Sequence, residues 1–166
     1  IEDMAEVVRV VMKSHPSLIF NDLEADDIIC FLQCEHTFVY SNDKDLKQIP
    51  GLHYDFDKKD LVEVSEETAF RNLCYQMIVG DSTDCIPGLK GYGPKKAETL
   101  MASVLTKQLL NRILVEYQTV LGLTMGTDAF VETWNLVKLR PARGAYFLKK
   151  YESAKNLLDI ILLNSK

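Results

Sequence analysis

Seven carboxylates in three short polar segments place the strongest demand on how this chain folds. Glu24, Asp26 and Asp27 stand in LEADDII, Asp43 and Asp45 in SNDKDL, and Asp81 and Asp84 in GDSTD. A fold that gathers them must offset their mutual repulsion. Hard divalent cations do so, and oxygen-rich, sulfur-free clusters suit magnesium or manganese. A fold that scatters them needs no such help. Acids in a first helical turn favour the helix dipole, Asp43 can cap a helix, and GDSTD reads as an ordinary turn. Each cluster is weak alone; the three in this order are specific. Within the first, helical spacing puts Glu24 and Asp27 on one face and Asp26 elsewhere.

Apolar periodicity supplies the frame around them. Residues 2–14 predict a helix with Met4, Val7, Val8 and Val11 on one side, and 17–20 a buried strand. A helix follows over 24–34, a strand over 37–40 and a short helix over 44–48. Residues 52–56 and 61–64 are weaker strand candidates joined through DKKD. Ser65 is a candidate cap for a helix through Val79. After a turn-rich stretch, helices are expected over 94–103, 107–120, 128–138 and 152–163. Helix and strand alternate early, as in a parallel α/β sheet. Ligands of such sheets bind beyond the carboxyl ends of the strands, and the first two acid clusters each follow a predicted strand. The reading is a partial parallel sheet flanked by helices over 1–79, then a helical lobe over 80–166.

With 166 residues the chain is long enough to bury a core. Its net charge of −5 hides a division. Residues 21–84 carry 15 acids and 5 bases, whereas 85–166 carry 6 acids and 12 bases. A basic half beside a metal-neutralised acidic half would face phosphates. No apolar run is long enough to span a membrane, and the acidic start IEDMAEVV is unlike a signal peptide. Cys30, Cys34, Cys74 and Cys85 complete no zinc pattern and read as buried, reduced thiols of a cytosolic protein. His15, His36 and His53 show no ligand spacing.

The run CIPGLKGYGPKKAETL has a mechanical reading. Gly88, Gly91 and Gly93 permit positive φ and close backbone approach, and Pro94 suits the first turn of a helix. The expected product is a tight hairpin between two helices. Its amides and the helix N-terminus can grip a phosphate, with Lys90, Lys95 and Lys96 adding charge. Contacts of this kind go to the nucleic-acid backbone and carry little sequence preference. A nucleotide P-loop does not fit, because no glycine directly precedes the lysine and no Ser or Thr follows it.

EADD at 24–27, SNDKD at 41–45 and GDSTDCIPGLKGYGPKKA at 80–97 together resemble the 5′ nucleases. These are the bacteriophage 5′-3′ exonucleases and flap endonucleases, with the 5′ nuclease domain of bacterial DNA polymerase I. The resemblance covers about residues 18–105, and WNLVKL at 134–139 looks like a later helix of the family. It implies a PIN-like core with a helix-three-turn-helix element, and a two-metal phosphodiesterase acting on duplex or 5′-flap DNA. Glu24 and Asp26 would then bind a first Mg²⁺ or Mn²⁺. Asp27, Asp43, Asp45, Asp81 and Asp84 would serve a second, some through water. The turn at 88–93 would hold duplex DNA, with a K⁺ ion bound by backbone carbonyls. The setting implied is a bacterial cytoplasm or a phage-infected host.

The family also carries a region ahead of the motif matched here by EADD, with further aspartates and an arch bearing a lysine and an arginine. At most 23 residues precede that motif here and none matches. The chain is therefore expected to be a C-terminal part, its N-terminal region lying elsewhere or on a separately encoded polypeptide. Two other readings stand beside the nuclease: a non-catalytic module that binds duplex DNA, and a related fold acting on RNA.

Overall fold

The structure, a computed structural model, describes Val10 and residues 24–139. The features expected over 2–14, 17–20 and 152–163 lie outside the described residues, save Val10, which is helical and exposed. Helix α1 (Ala25–Leu32) leads to strand β1 (Phe38–Val39), a 3-10 turn (Asp45–Gln48) and strands β2 (Gly51–Asp55) and β3 (Asp60–Val64). Helices α2 (Glu66–Val79), α3 (Pro94–Ala102), α4 (Leu109–Leu121) and α5 (Leu123–Val137) follow, with a second 3-10 turn (Thr106–Gln108) before α4.

β2 runs parallel to β1 but antiparallel to β3, so the sheet is mixed rather than parallel as expected. Connection length decides this. Residues 56–59 alone join β2 to β3, and a parallel crossover needs about a dozen residues. Asp55 fastens the turn by accepting from the backbone N–H groups of Asp57 and Lys58, each at 3.0 Å. Those bonds, led by the one from Lys58, hold its carboxyl below the usual range. In the hairpin strands only His53 is buried, its Nε2 lying 2.7 Å from the Ile49 carbonyl.

The main core is helical. Leu73, Met77 and Ile78 of α2 share it with Ile113 and Tyr117 of α4 and Phe130 and Trp134 of α5. The Tyr117 hydroxyl donates to the Met77 carbonyl at 2.7 Å, a buried bond of about 1 kcal/mol net. Ser65 caps α2 as expected, accepting from Thr68 N–H at 3.1 Å. α5 starts five residues earlier than the sequence suggested. Gly126 lies inside it, where a Cβ would stand 2.5 Å from Gln118 Cα. The glycine that looks like a helix breaker is therefore what lets α4 and α5 touch. A smaller core of Val39, Leu46 and Ile49 lies with Ile29, Cys30 and Leu139. Of the four free cysteines only Cys74 is buried, its thiol pushed up to about 12 by desolvation. Cys34 and Cys85 are exposed, which corrects the expectation of buried thiols for both.

Between α2 and α3 the backbone folds tightly. Asp81 N–H donates to the Ile86 carbonyl at 2.8 Å, and Ile86 N–H returns to that of Asp81 at 2.7 Å. Leu89 N–H donates to the Ile78 carbonyl at 2.8 Å. Gly80 (φ 75°) and Gly88 (φ 59°) face each other here, and a Cβ on Gly88 would stand 2.7 Å from the Ile78 oxygen. Gly93 departs from expectation, with φ −91°; it is the N-cap of α3, and Pro94 occupies the first turn. Gly88→Ala combines a disfavoured φ with a backbone clash and should cost at least about 2 kcal/mol. Gly93→Ala should stay within about 0.5 kcal/mol. Urea unfolding of the two variants gives the comparison, and equal midpoints would contradict the packing described.

Candidate metal centre

Three chain segments deliver the acids. Glu24 is the N-cap of α1, and Asp26 and Asp27 occupy its first turn. β1 feeds the second pair, and the C-terminus of α2 feeds the third. Asp43 Oδ1 accepts from Asp45 N–H at 3.0 Å, a cap-like bond that starts the 3-10 turn. Asp81 Oδ1 accepts from Thr83 N–H at 2.8 Å, bending GDSTD back toward the pair.

The segments meet. One cleft of about 380 Å³ is lined by Glu24, Asp26, Asp27, Asp45, Asp81 and Asp84, with Gln76 and residues 135–139. An adjoining cleft shares Glu24, Asp26, Asp45, Asp81 and Asp84 and adds Asp43, Lys44 and Ser41. All seven acids therefore border one continuous acidic region. Asp26, expected to point away from Glu24 and Asp27, lines both clefts. The tightest group is Asp45, Asp81 and Asp84, whose nearest carboxylate oxygens lie within 4.8 Å of one another. Asp81 is buried, Asp45 half-buried and Asp84 exposed.

Their electrostatics differ. Burial is the main reason that Asp45 is raised above the ordinary carboxylate pKa, with Asp43 and Asp81 adding repulsion. A hydrogen bond from Lys44 is the main reason that Asp81 is lowered. Lys44 Nζ stands 2.8 Å from Asp81 Oδ2. Asp45 receives its own support from the Gln76 side-chain amide, which is buried on α2. Gln76 Oε1 accepts in turn from Gln48 Nε2. Gln48 also donates to the Val137 carbonyl at 2.7 Å and accepts from Leu139 N–H at 3.3 Å. Sequence reading passed over Lys44, Gln76 and Gln48. Lys44 lies inside the second motif, and Gln76 is a polar residue among the buried positions of α2; both were available signals.

Three oxygen-donor side chains at this spacing fit a hard cation. Ligands on opposite sides of Mg²⁺ stand about 4.2 Å apart, so small side-chain rotations would close the group around one ion. Sulfur takes no part, which disfavours soft metals.

The glycine turn lies outside these clefts. Lys90, Lys95 and Lys96 are exposed, and nothing within 4 Å would meet a Cβ on Gly91. Gly91 has φ 82°, and its carbonyl accepts from Lys96 Nζ at 3.1 Å. Gly88 instead packs inward against the backbone of Val79 and Gly80. Tyr92, Lys95, Lys96 and Arg112 share a shallow groove at α3, where Lys96 Nζ stands 4.6 Å from the centre of the Tyr92 ring.

Comparison with curated proteins finds a similarity to a DNA polymerase I of Rhizobium leguminosarum, 37% identical over 101 residues. The match takes in 52% of this chain and 10% of that protein's length. No family model matches, and no solved structure matches. Among the described residues no helix is long and apolar enough to cross a membrane.

The raised Asp45 pKa has a direct consequence for the metal-free protein. Folding binds the Asp45 proton more tightly than the unfolded chain does, so its ionised form opposes folding above the ordinary value of 3.8. Its contribution to stability falls as pH rises from that value through the raised one. Asp45→Asn in EDTA should therefore melt at a higher temperature than the parent at pH 7. The advantage should shrink toward pH 3.5. Thermal melts at the two pH values measure it, and a lower melting temperature for the variant at pH 7 would contradict the burial argument.

Proposed function

We propose that the chain is the metal-binding part of a 5′ nuclease that hydrolyses DNA phosphodiester bonds in replication or repair. The observation that carries this reading is the convergence of Asp45, Asp81 and Asp84, with the other four acids bordering the same clefts. Similarity to a stretch of DNA polymerase I supports DNA as the target. The order of the motifs supports the finer assignment to a 5′-3′ exonuclease or flap endonuclease. On this reading the mixed sheet and α1 belong to a PIN-like core, and α2, the glycine turn and α3 to a helix-three-turn-helix element.

When bound, two divalent ions supply alignment of the phosphodiester, a hydroxide nucleophile and stabilisation of the leaving oxygen. The carboxylates act as ligands rather than as general bases. Glu24 and Asp26 hold one Mg²⁺ or Mn²⁺, and Asp27, Asp43, Asp45, Asp81 and Asp84 serve the other. Gln76 orients Asp45, leaving one carboxylate oxygen for the cleft. Lys90, Lys95, Lys96 and the backbone at Gly91 and Gly93 contact DNA phosphates, with K⁺ as a candidate ligand of the turn. Gly88 keeps the turn close to α2. The expected setting is the cytoplasm of a bacterium or of a phage-infected host.

The assay is cleavage of a labelled 5′-flap duplex in Mg²⁺, run with duplex-binding measurements. Asp84→Asn should lower cleavage more than about a hundredfold, beyond what loss of an outer partner costs, while duplex binding persists. Full cleavage by this variant would reject the assignment. Binding without cleavage by the parent chain would favour the non-catalytic module, which the exposed lysines around Gly91 also suit. Cleavage of RNA alone would favour the related RNA-acting fold. Separately, Lys95→Ala with Lys96→Ala should weaken duplex binding and flatten its logarithmic salt slope by up to about 2. An unchanged slope would remove these lysines from the interface.

A further inference from the structure

We infer that Lys44 is a resident counter-ion of the acid cluster, a cation built into the chain that a divalent ion must displace. The inference rests on the metal-site reading above and adds a function for a residue that reading leaves unassigned. Lys44 Nζ stands 2.8 Å from Asp81 Oδ2. The other oxygen of Asp81 accepts from Thr83 N–H, so Lys44 sits on the oxygen that has no backbone bond to Thr83.

The burial of the two partners is unequal. The Asp81 side chain is 4% exposed and that of Lys44 55%. The carboxylate is fixed and the ammonium arrives from solvent on a flexible stem, so the lysine can leave without disturbing the packing. Asp45 and Asp84, the other members of the trio, also attract this ammonium. One positive charge thus serves the three carboxylates that would share a metal. It lowers their repulsion in the metal-free protein and competes for the same oxygen. A doubly charged ion has the advantage, because it carries twice the charge and approaches oxygen to about 2.1 Å.

A structural surface pair would stabilise the fold and leave metal affinity alone. A counter-ion does something different: removing it destabilises the metal-free protein and tightens metal binding. Lys44→Met, Lys44→Arg and Lys47→Met provide the test in the full chain. Lys47 lies three residues on and lines neither acidic cleft, so it reports the effect of overall charge. Calorimetric titration with Mn²⁺ should show roughly tenfold tighter binding to Lys44→Met than to the parent. Lys44→Arg and Lys47→Met should bind within about threefold of the parent. Lys44→Met should also melt below the parent in EDTA, and saturating Mn²⁺ should close that gap.

Unchanged or weaker Mn²⁺ binding by Lys44→Met would overturn the counter-ion role while leaving the metal site standing. Equal tightening by Lys47→Met would overturn it too, since bulk charge would then account for the effect. No Mn²⁺ binding by the parent or by any variant would sink the metal-site reading and this inference together.

Discussion

The close approach of Gly80 to Gly88 governs where the charges of this protein lie. α2 ends there, and the chain must return within a few residues to deliver Asp81 and Asp84 beside Asp45. Paired backbone bonds between Asp81 and Ile86 hold the return. Leu89 ties it to the last turn of α2. A side chain on either glycine would push the loop away from the helix. Two of the three tightly grouped carboxylates would move with it.

Holding acids together in a half-buried place has an energetic cost, and the protein meets it with groups of two kinds. Gln76, a neutral amide fixed in the interior, supports Asp45 from behind. Lys44, an exposed cation, supports Asp81 from the solvent side. The first is suited to orienting a ligand and the second to being exchanged. Asp45 remains raised despite its amide partner, because burial and neighbouring acids outweigh one hydrogen bond. The site therefore carries unspent repulsion, which favours the entry of positive charge.

Local signals account for much of the fold. Ser65 and Pro94 mark helix starts through capping and φ preference, and both are visible in single residues. The hairpin was legible as two strands around DKKD, but its direction depends on counting the residues between them. α5 was misplaced at its start because Gly126 is permissive locally and its value lies in contact with α4. Motif spacing singled out seven acids, and the structure sets all seven along the two adjoining clefts. Gln76 was visible only as a polar residue among buried helical positions; its tie to Asp45 and to Gln48 was not, since a glutamine's role depends on what packs against it from residues as distant as Val137. Gly93 shows the opposite error: a glycine read for its freedom adopts an ordinary backbone angle.

Gln48 has a mechanical consequence. Its side chain grips the backbone at Val137 and Leu139 on one side and Gln76 on the other, and Gln76 in turn holds Asp45. The backbone at Leu139 is therefore linked to a carboxylate through the side-chain amides of Gln48 and Gln76. The exit from α5 and the aspartate at the cleft thus share one chain of hydrogen bonds.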